Sequence, residues 1–341
     1  MTPTNGAVRV AIAGASTLLG KELKVWLEES NFPTTDIRLV DEEFVAGTLT
    51  EAGGEPAVIE TVSEDSFERA RFAFFAGSQE FSRRHAADAR RGGAVVIDLS
   101  GGLAAEQNAK MWIPALDAVL PPPGGEFARG ERQSLFVVPA APAEIAISIS
   151  AALAPIALER LVVTFLRPVS ERGQEAVEEL EGQVVKLLSF QPVAQTVFDA
   201  QVGFNLLSRY GPESGEKLVD ARTRIAGESR KYLAGRAPFP AIALVQAPVF
   251  FSHAFTTYAE FKTPPSLEEV AARLQRAGLK VAGADEEPPT NVSVAGESRP
   301  VLGQPERDPS IESGVWLWGA ADNVRVPAAT AVAIAERLLA S

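Results

Sequence analysis

A short glycine-rich turn near the start of the chain has the spacing of a nucleotide phosphate site. The apolar, β-branched run Val8–Ala13 leads into Gly14, Thr17 and Gly20, after which apolar residues recur at helical spacing. In such a strand–turn–helix, backbone N–H groups and the helix N-terminus face a pyrophosphate. Thr17 stands where a Gly-x-x-Gly-x-x-Gly pattern has its middle glycine, which lets the cofactor approach the backbone. The β-branched side chain of Thr17 leaves less space for that approach. The candidate contacts at the turn are Gly14, Ser16, Thr17, Leu18, Leu19 and Gly20.

Acidic residues follow the next apolar run. Asp41, Glu42 and Glu43 lie where a carboxylate commonly bonds the ribose hydroxyls of NAD and repels the 2′-phosphate of NADP. If the turn binds a nucleotide, the sequence therefore favours NAD over NADP. The alternative is structural: the glycines make a tight turn with close helix packing, and the acids form a solvated strand end.

The chain has no cysteine and two histidines, His85 and His253. This composition excludes disulfides and thiol catalysis, and it leaves almost no zinc or iron–sulfur site, so we expect no metal. Glu144 is the single charge in the first turn of an apolar helix that begins at Pro142, where an acid stabilises the helix dipole. A functional alternative pairs Glu144 with His253 as an acid–base couple. His253 by itself is also compatible with a hydrogen-bonded residue at the edge of a core.

Charge and hydropathy narrow the partners. With 44 acidic against 32 basic residues, the formal net charge is -12, which repels nucleic-acid phosphates and anionic membrane surfaces. The first residues lack the pattern of a secretory signal, so we expect a cytoplasmic protein. The longest weakly polar run, residues 145–158, is too short and too interrupted to span a membrane.

The patterning predicts an α/β protein with two domains. Apolar strands without alternation, such as "FAFFAG" and "AVVIDLSG", suit a parallel sheet in a Rossmann-like nucleotide-binding domain, residues 1–140. A helix, a long amphipathic segment and strands with alternating burial then predict an α+β domain over 141–320. The segment 321–341 predicts a helix that returns to the first domain. Residues 285–314, rich in Pro, Gly and charge, predict a surface excursion or interface arm.

The order of these motifs resembles the aspartate-semialdehyde dehydrogenase family. The resemblance rests on "VRVAIAGASTLLGKEL", "FAFFAGSQEFSRRHAADARRGGAVVIDLSG", "APVFFSH" and "ADNVRVPAATAVAIAERLL", which span nearly the whole chain. It implies a nucleotide-binding domain, a catalytic and dimerisation domain, and a homodimer. The family reduces an acyl phosphate with NADPH through a cysteine thioester, with a histidine as acid and base and arginines on the substrate.

Carried over residue by residue, the resemblance implies an altered site. The family's Asn-Pro-Asn-Cys elbow falls on residues 141–144, so Glu144 stands at the nucleophile position, while the catalytic histidine matches His253. The substrate-carboxylate arginine falls on Gln246 and the phosphate arginine on Ala104. Further substrate and cofactor positions fall on Ser148, Lys217, Ser100 and Asn323, and the glutamate before the lysine is replaced by Ser214.

These losses predict that the family reaction is absent, since a carboxylate nucleophile would give a reactive anhydride in place of a thioester. The chain is similar to the Usg type of homologue, which lacks the cysteine. We expect a nucleotide- or partner-binding homodimer. The alternatives are an NAD-dependent oxidoreductase on a small aldehyde, using Glu144 and His253 without a thiol, and a hetero-partner of an active family member.

Overall fold

The computed structural model describes residues 7–52, 55–122 and 134–340. These residues form two compact units. The first contains residues 7–114, 134–140 and 327–340, and the second contains 115–122 and 141–326. The segment 115–122, which the sequence analysis assigns to the first domain, therefore lies with the second unit.

The first unit is an α/β layer built on one parallel sheet. Its seven strands lie in the order β5-β2-β1-β6-β7-β9-β8, and every described pair is parallel. A separate two-stranded sheet pairs β3 with β4 in antiparallel orientation. The elements are β1 Val8–Ala13, α1 Leu18–Glu29, β2 Thr34–Asp41, β3 Leu49–Ala52, β4 Glu55–Val58, β5 Glu60–Thr61, β6 Ala70–Phe75, α2 Gln79–Arg91, β7 Val95–Asp98, β8 Lys110–Met111 and β9 Leu135–Val137.

Both faces of this sheet are covered, which explains why its strands are apolar without alternation. Along β1, Val10 and Ile12 join a core that includes Leu23 of α1. Ala11 and Ala13 join a second core that includes residues of α2. The C-terminal helix, α7 Arg325–Ala340, adds apolar residues to the first of these cores.

The second unit has a mixed sheet in the order β11-β10-β12-β16-β14-β13, with β15 beside β16. Strands β10 and β11 are parallel, whereas β12 runs antiparallel to both β10 and β16. Its elements are α3 Ala141–Leu153, β10 Leu158–Arg167, α4 Gln174–Leu188, α5 Leu218–Leu233, β11 Ala241–Gln246, β12 His253–Phe261, α6 Leu267–Arg276, β13 Lys280–Val281, β14 Val301–Leu302, β15 Glu306–Arg307 and β16 Gly314–Ala321.

One face of the mixed sheet is covered and the other is open. Burial alternates along β12, as expected for an antiparallel sheet with a single packed face. The open face carries Val162, Tyr258, Trp316 and Trp318, and both tryptophans are 40% exposed. Helix α3 packs against β10, α5 and α6, and every one of its residues is buried.

The segment 285–314 differs from its predicted form. It contributes two short strands, β14 and β15, to the mixed sheet. Val294 and Val301 pack with Ala320 in a small core. Its buried apolar residues are few and widely spaced. A composition rich in Pro, Gly and charge therefore gave no indication of these buried positions. Among the described residues, none of the helices is both long enough and apolar enough to cross a membrane.

Candidate functional site

The glycine-rich turn in the first unit needs both of its glycines. Gly14 has φ +91°, and a Cβ there would lie 2.2 Å from the backbone nitrogen of Gly77. A Cβ on Gly20 would lie 2.2 Å from the carbonyl oxygen of Gly14. The first N–H groups of α1, those of Leu18 and Leu19, have no partner within the helix and are the groups that face a phosphate in nucleotide sites.

Thr17 is the N-cap of α1, and its hydroxyl ties the turn together. Oγ1 accepts a hydrogen bond from Gly20 N at 2.9 Å and can donate to the carbonyl oxygen of Gly14 or of Ala76, each 2.9 Å away. The threonine at the middle-glycine position therefore has a local structural role, since Ser and Thr are favoured helix caps.

Asp41 turns its carboxylate back toward the turn. Oδ2 accepts a hydrogen bond from Ser16 N and Oδ1 accepts one from Glu42 N, both at 2.8 Å. The side chain is buried. One N–H of the turn is thus already bonded to the carboxylate of Asp41.

Ser100 follows β7 and supports the next loop. Its hydroxyl donates to Oδ1 of Asp98 at 2.6 Å and accepts from Gly102 N at 3.0 Å, while Oδ2 of Asp98 accepts from Leu103 N at 2.9 Å. Burial raises the pKa of Asp98, against the lowering effect of these hydrogen bonds. Ser100 is therefore engaged within the first unit.

In the second unit, the structure places Glu171 beside His253. Oε1 of Glu171 lies 3.3 Å from Nε2 of the completely buried imidazole. Burial alone would raise the pKa of Glu171, but the neighbouring imidazole of His253 and the charges of Arg167 and Arg224 lower it to about 2. The carboxylate is ionised, so this pair can hold or move a proton at His253.

Asn323 joins this pair to two neighbouring segments. Its Nδ2 donates to Oε1 of Glu171 at 3.3 Å, and its Oδ1 accepts from Ser252 N at 2.9 Å and from Ser170 Oγ at 3.2 Å. The amide is buried and engaged within the second unit. Asn323 thus fixes the position of Glu171.

Arg167 is a buried cation between two carboxylates. Nη1 lies 2.8 Å from Oε2 of Glu216, Nη2 lies 3.9 Å from Oε2 of Glu171, and Nη1 also donates to the Tyr210 hydroxyl at 2.9 Å. Burial alone would lower the pKa of Arg167, but Tyr210, Glu171 and Glu216 raise it. Arg172 lies 3.3 Å from Glu216, so two arginines and two glutamates balance each other.

Gln246 has its amide fully occupied. It is paired with Arg167 in the β10–β11 register. Its Nε2 donates to the carbonyl oxygens of Arg167 (2.9 Å) and Ala247 (3.1 Å), and its Oε1 accepts from the Tyr210 hydroxyl at 2.7 Å. A ligand would have to break one of these bonds to reach the amide.

Lys217 lies before α5, and its Nζ donates to the carbonyl oxygens of Gly211 (3.3 Å), Pro212 and Ser214 (3.2 Å). Together with Tyr210 and Arg209, it lines a cleft of about 550 Å³. The ammonium group therefore stabilises the loop that forms one wall of the cleft.

Glu144 lies in the first turn of α3 and is 6% exposed. Its position satisfies the helix-dipole interpretation. Ser148 is buried one turn further along the same helix. Glu171, a residue that the sequence analysis did not select, places a carboxylate in contact with His253.

The missed residues, Arg167, Glu171, Tyr210 and Glu216, come from two separated segments, 167–171 and 210–216. The stretch "RPVSERG" after β10 held the usable signal, because charges directly after a buried strand lie at the edge of a sheet where sites form. No group of three or more His, Cys, Asp or Glu residues in the described ranges could hold a metal ion.

A parallel-sheet unit with a glycine-rich turn and a mixed-sheet unit with a buried polar cluster define a two-domain α/β protein with a Rossmann-like first unit and an α+β second unit. The chain belongs to the semialdehyde dehydrogenase family. Residues 9–120 match the model described as "Semialdehyde dehydrogenase, NAD binding domain", and residues 150–326 match "Semialdehyde dehydrogenase, dimerisation domain". The predicted fold class and the NAD(P)-binding domain are thereby confirmed.

Relatives of two kinds are similar over the full length. A "USG-1 protein homolog" of Azotobacter vinelandii is 29% identical, with 98% of each chain covered. "Aspartate-semialdehyde dehydrogenase 2" of Vibrio cholerae is 30% identical, with 97% of each covered. The crystal structure of aspartate semialdehyde dehydrogenase II from Vibrio cholerae has a TM-score of 0.86 at 26% identity, covering 98% of this chain and 99% of that one.

Proposed function

We propose that this protein is a nucleotide-binding homodimer of the semialdehyde dehydrogenase family that does not catalyse the phosphorylating dehydrogenase reaction. The observation that carries the proposal is Glu144, a buried carboxylate in the first turn of α3 in a chain without cysteine. In our interpretation, Glu144 stands at the nucleophile position. Attack by a carboxylate would give a mixed anhydride, which a thioester mechanism cannot use.

The surroundings of Gln246 support the same conclusion. A neutral amide cannot replace an arginine in a charge-assisted pair with a substrate carboxylate, a difference of about 1.5 to 3 kcal/mol. Gln246 is also buried, and its amide already bonds Tyr210 and two main-chain oxygens. A substrate with a carboxylate therefore lacks a receptor there.

The nucleotide in this proposal is NAD, with NADP disfavoured. Asp41 holds a negative charge beside the turn through its bonds with Ser16 N and Glu42 N, and a 2′-phosphate would meet that charge. Gly14, which has no Cβ, allows the turn to lie close to the backbone of Gly77. The residues of the turn would hold the phosphates of the nucleotide, whose nicotinamide would supply hydride chemistry if any substrate is oxidised or reduced.

The homodimer is supported by the open face of the mixed sheet, which lies within the match to the dimerisation domain. Val162, Trp316 and Trp318 form an exposed apolar patch there, and such patches mark interaction sites. A hetero-partner from the same family would use the same face. Cytoplasmic localisation stays a prediction from the sequence.

A second candidate is a thiol-free aldehyde oxidation, which the Glu171–His253 pair favours. A hydrated aldehyde would give a hydride to NAD and a proton to His253, leaving a carboxylic acid. Glu171 would stabilise the imidazolium that forms. Glu144 remains an alternative partner for His253 in this scheme.

Calorimetric titration with NADH and NADPH, followed by turnover assays, tests both candidates. We expect binding of NADH, weak binding of NADPH, and no NAD(P)-dependent conversion of aspartate semialdehyde with phosphate. Such conversion by the cysteine-free protein would overturn the first proposal. The Glu144→Ala variant is the control, because any conversion that persists in it does not use Glu144. Reduction of NAD by aldehydes without phosphate, lost in His253→Asn, would support the second candidate.

A further inference from the structure

In the cluster around Arg167, the carboxylate of Glu216 contacts the guanidinium in the way that a carboxylate ligand would. Glu216 contacts the guanidinium of Arg167 through both oxygens, with Oε2 2.8 Å from Nη1 and Oε1 3.4 Å from Nη2. Oε2 also lies 3.3 Å from Nε of Arg172. Two-point contact with a planar guanidinium is the way in which arginine binds carboxylates in general.

The carboxylate of Glu216 lies nearer to solvent than the guanidinium of Arg167. The side chain of Glu216 is 28% exposed, whereas that of Arg167 is 3% exposed. The neighbouring cleft is lined by Lys217, the next residue in the chain, and by Tyr210, whose hydroxyl accepts a hydrogen bond from Arg167. Tyr210 therefore connects the cleft to the cluster in which Glu216 contacts Arg167.

We propose that Glu216 is a built-in competitor that closes the Arg167 site to small carboxylate ligands. A carboxylate ligand would have to displace a tethered carboxylate whose effective concentration is far above that of a free molecule. The cluster is also already neutral in charge, with Arg167 and Arg172 balanced by Glu171 and Glu216. The intact cluster therefore has no unbalanced positive charge to attract a carboxylate ligand.

This inference goes beyond the proposed function, which concerns the glycine-rich turn, Glu144 and the homodimer. The experiment needs no turnover and no nucleotide, so the two can fail separately. The probes are sodium acetate and its uncharged counterpart acetamide, titrated by calorimetry into the full chain at constant ionic strength. The variants are Glu216→Ala, which opens a space of carboxylate size, and Glu213→Ala, which removes the same charge from an exposed side chain nearby.

We expect the Glu216→Ala variant to bind acetate at least about tenfold more tightly than the wild type, the factor that a charge-assisted hydrogen bond carries. Glu213→Ala should behave as the wild type, and acetamide should show no such gain. Adding Arg167→Met to Glu216→Ala should remove the acetate binding. Equal acetate affinities in the wild type and in folded Glu216→Ala would overturn the inference.

If Glu216→Ala is too unstable for titration, its melting temperature is measured in acetate and in acetamide. A rise in melting temperature specific to acetate supports the inference, because a ligand of the folded state stabilises it. The same melting temperature in both probes overturns it. Glu216→Gln, which keeps the side-chain volume and removes the charge, provides the same comparison with less disturbance of packing.

Discussion

The carboxylate of Glu171 lies 3.3 Å from Nε2 of His253, and the same oxygen accepts a hydrogen bond from Asn323. The imidazole also packs edge-on against Phe165, with ring centroids 5.8 Å apart. A buried histidine is thus held between an ionised carboxylate and an aromatic ring. Glu171 therefore determines the electrostatic environment of His253.

Because of Glu171, the stability of the fold should depend on pH in the acidic range. Its pKa is about 2, below the ordinary value of 4.5. A lowered pKa means that the ionised carboxylate stabilises the fold fully above the unfolded-state pKa, and that this contribution is lost as the pH falls from about 4.5 toward 2. The whole contribution is roughly 3 kcal/mol.

Glu171→Gln should therefore be less stable than the wild type at neutral pH, and the difference should shrink below pH ~4.5. Urea unfolding at several pH values measures this. Glu175→Gln, at an exposed position on α4, should keep the wild-type pH profile. A constant difference between Glu171→Gln and the wild type down to pH ~3 would show that the carboxylate keeps an ordinary pKa.

Thr17 should stabilise the turn through its hydroxyl. Thr17→Val keeps the shape of the side chain but leaves Gly20 N without its acceptor, so the free energy of unfolding should fall by about 1 kcal/mol, the usual effect of losing an N-cap. Thr17→Ser should stay close to the wild type. Chemical denaturation measures both variants, and a Thr17→Val protein as stable as the wild type would contradict the capping role.

Gly14 and Gly47 provide a matched pair of glycine-to-alanine substitutions. Both have positive φ, +91° and +84°, but a Cβ at Gly14 meets the backbone of Gly77, whereas a Cβ at Gly47 meets nothing within 4 Å. Gly47→Ala should cost only the backbone strain, about 1 to 2 kcal/mol. Gly14→Ala should cost roughly 1 to 3 kcal/mol more, because the turn must move apart. Equal melting temperatures for Gly14→Ala and Gly47→Ala would mean that Gly14, after β1, and Gly77, after β6, are not in close contact.

Asp41 should set the choice between the two nucleotides. Asp41→Asn removes the charge and keeps one acceptor for the backbone, so the affinity for NADPH relative to NADH should rise several-fold to about tenfold. Fluorescence titration with both reduced nucleotides measures the ratio. Glu43→Gln removes the same charge from an exposed neighbour and is the control. An unchanged ratio in Asp41→Asn would show that its carboxylate does not face the nucleotide.

The fold was largely accessible from sequence because its signals are local. The apolar run Val8–Ala13 and the helical spacing that follows it predict the strand and helix around the turn, and the structure has both. The alternation after His253 likewise predicts the one-sided burial of β12. The short strands β14 and β15 were missed, because two residues give no periodicity.

The candidate site was likewise accessible from the sequence only in part. Sequence alone determined the absence of cysteine, the position of Glu144 at a helix start, and the charge of Asp41 after a buried strand. Only the tertiary structure decided which charges meet. Glu171 reaches His253 across 82 positions of the chain, and Glu216 reaches Arg167 across 49. Such pairs depend on how β10, β12 and the loop before α5 pack together, and contacts between distant segments leave no periodic trace in the sequence.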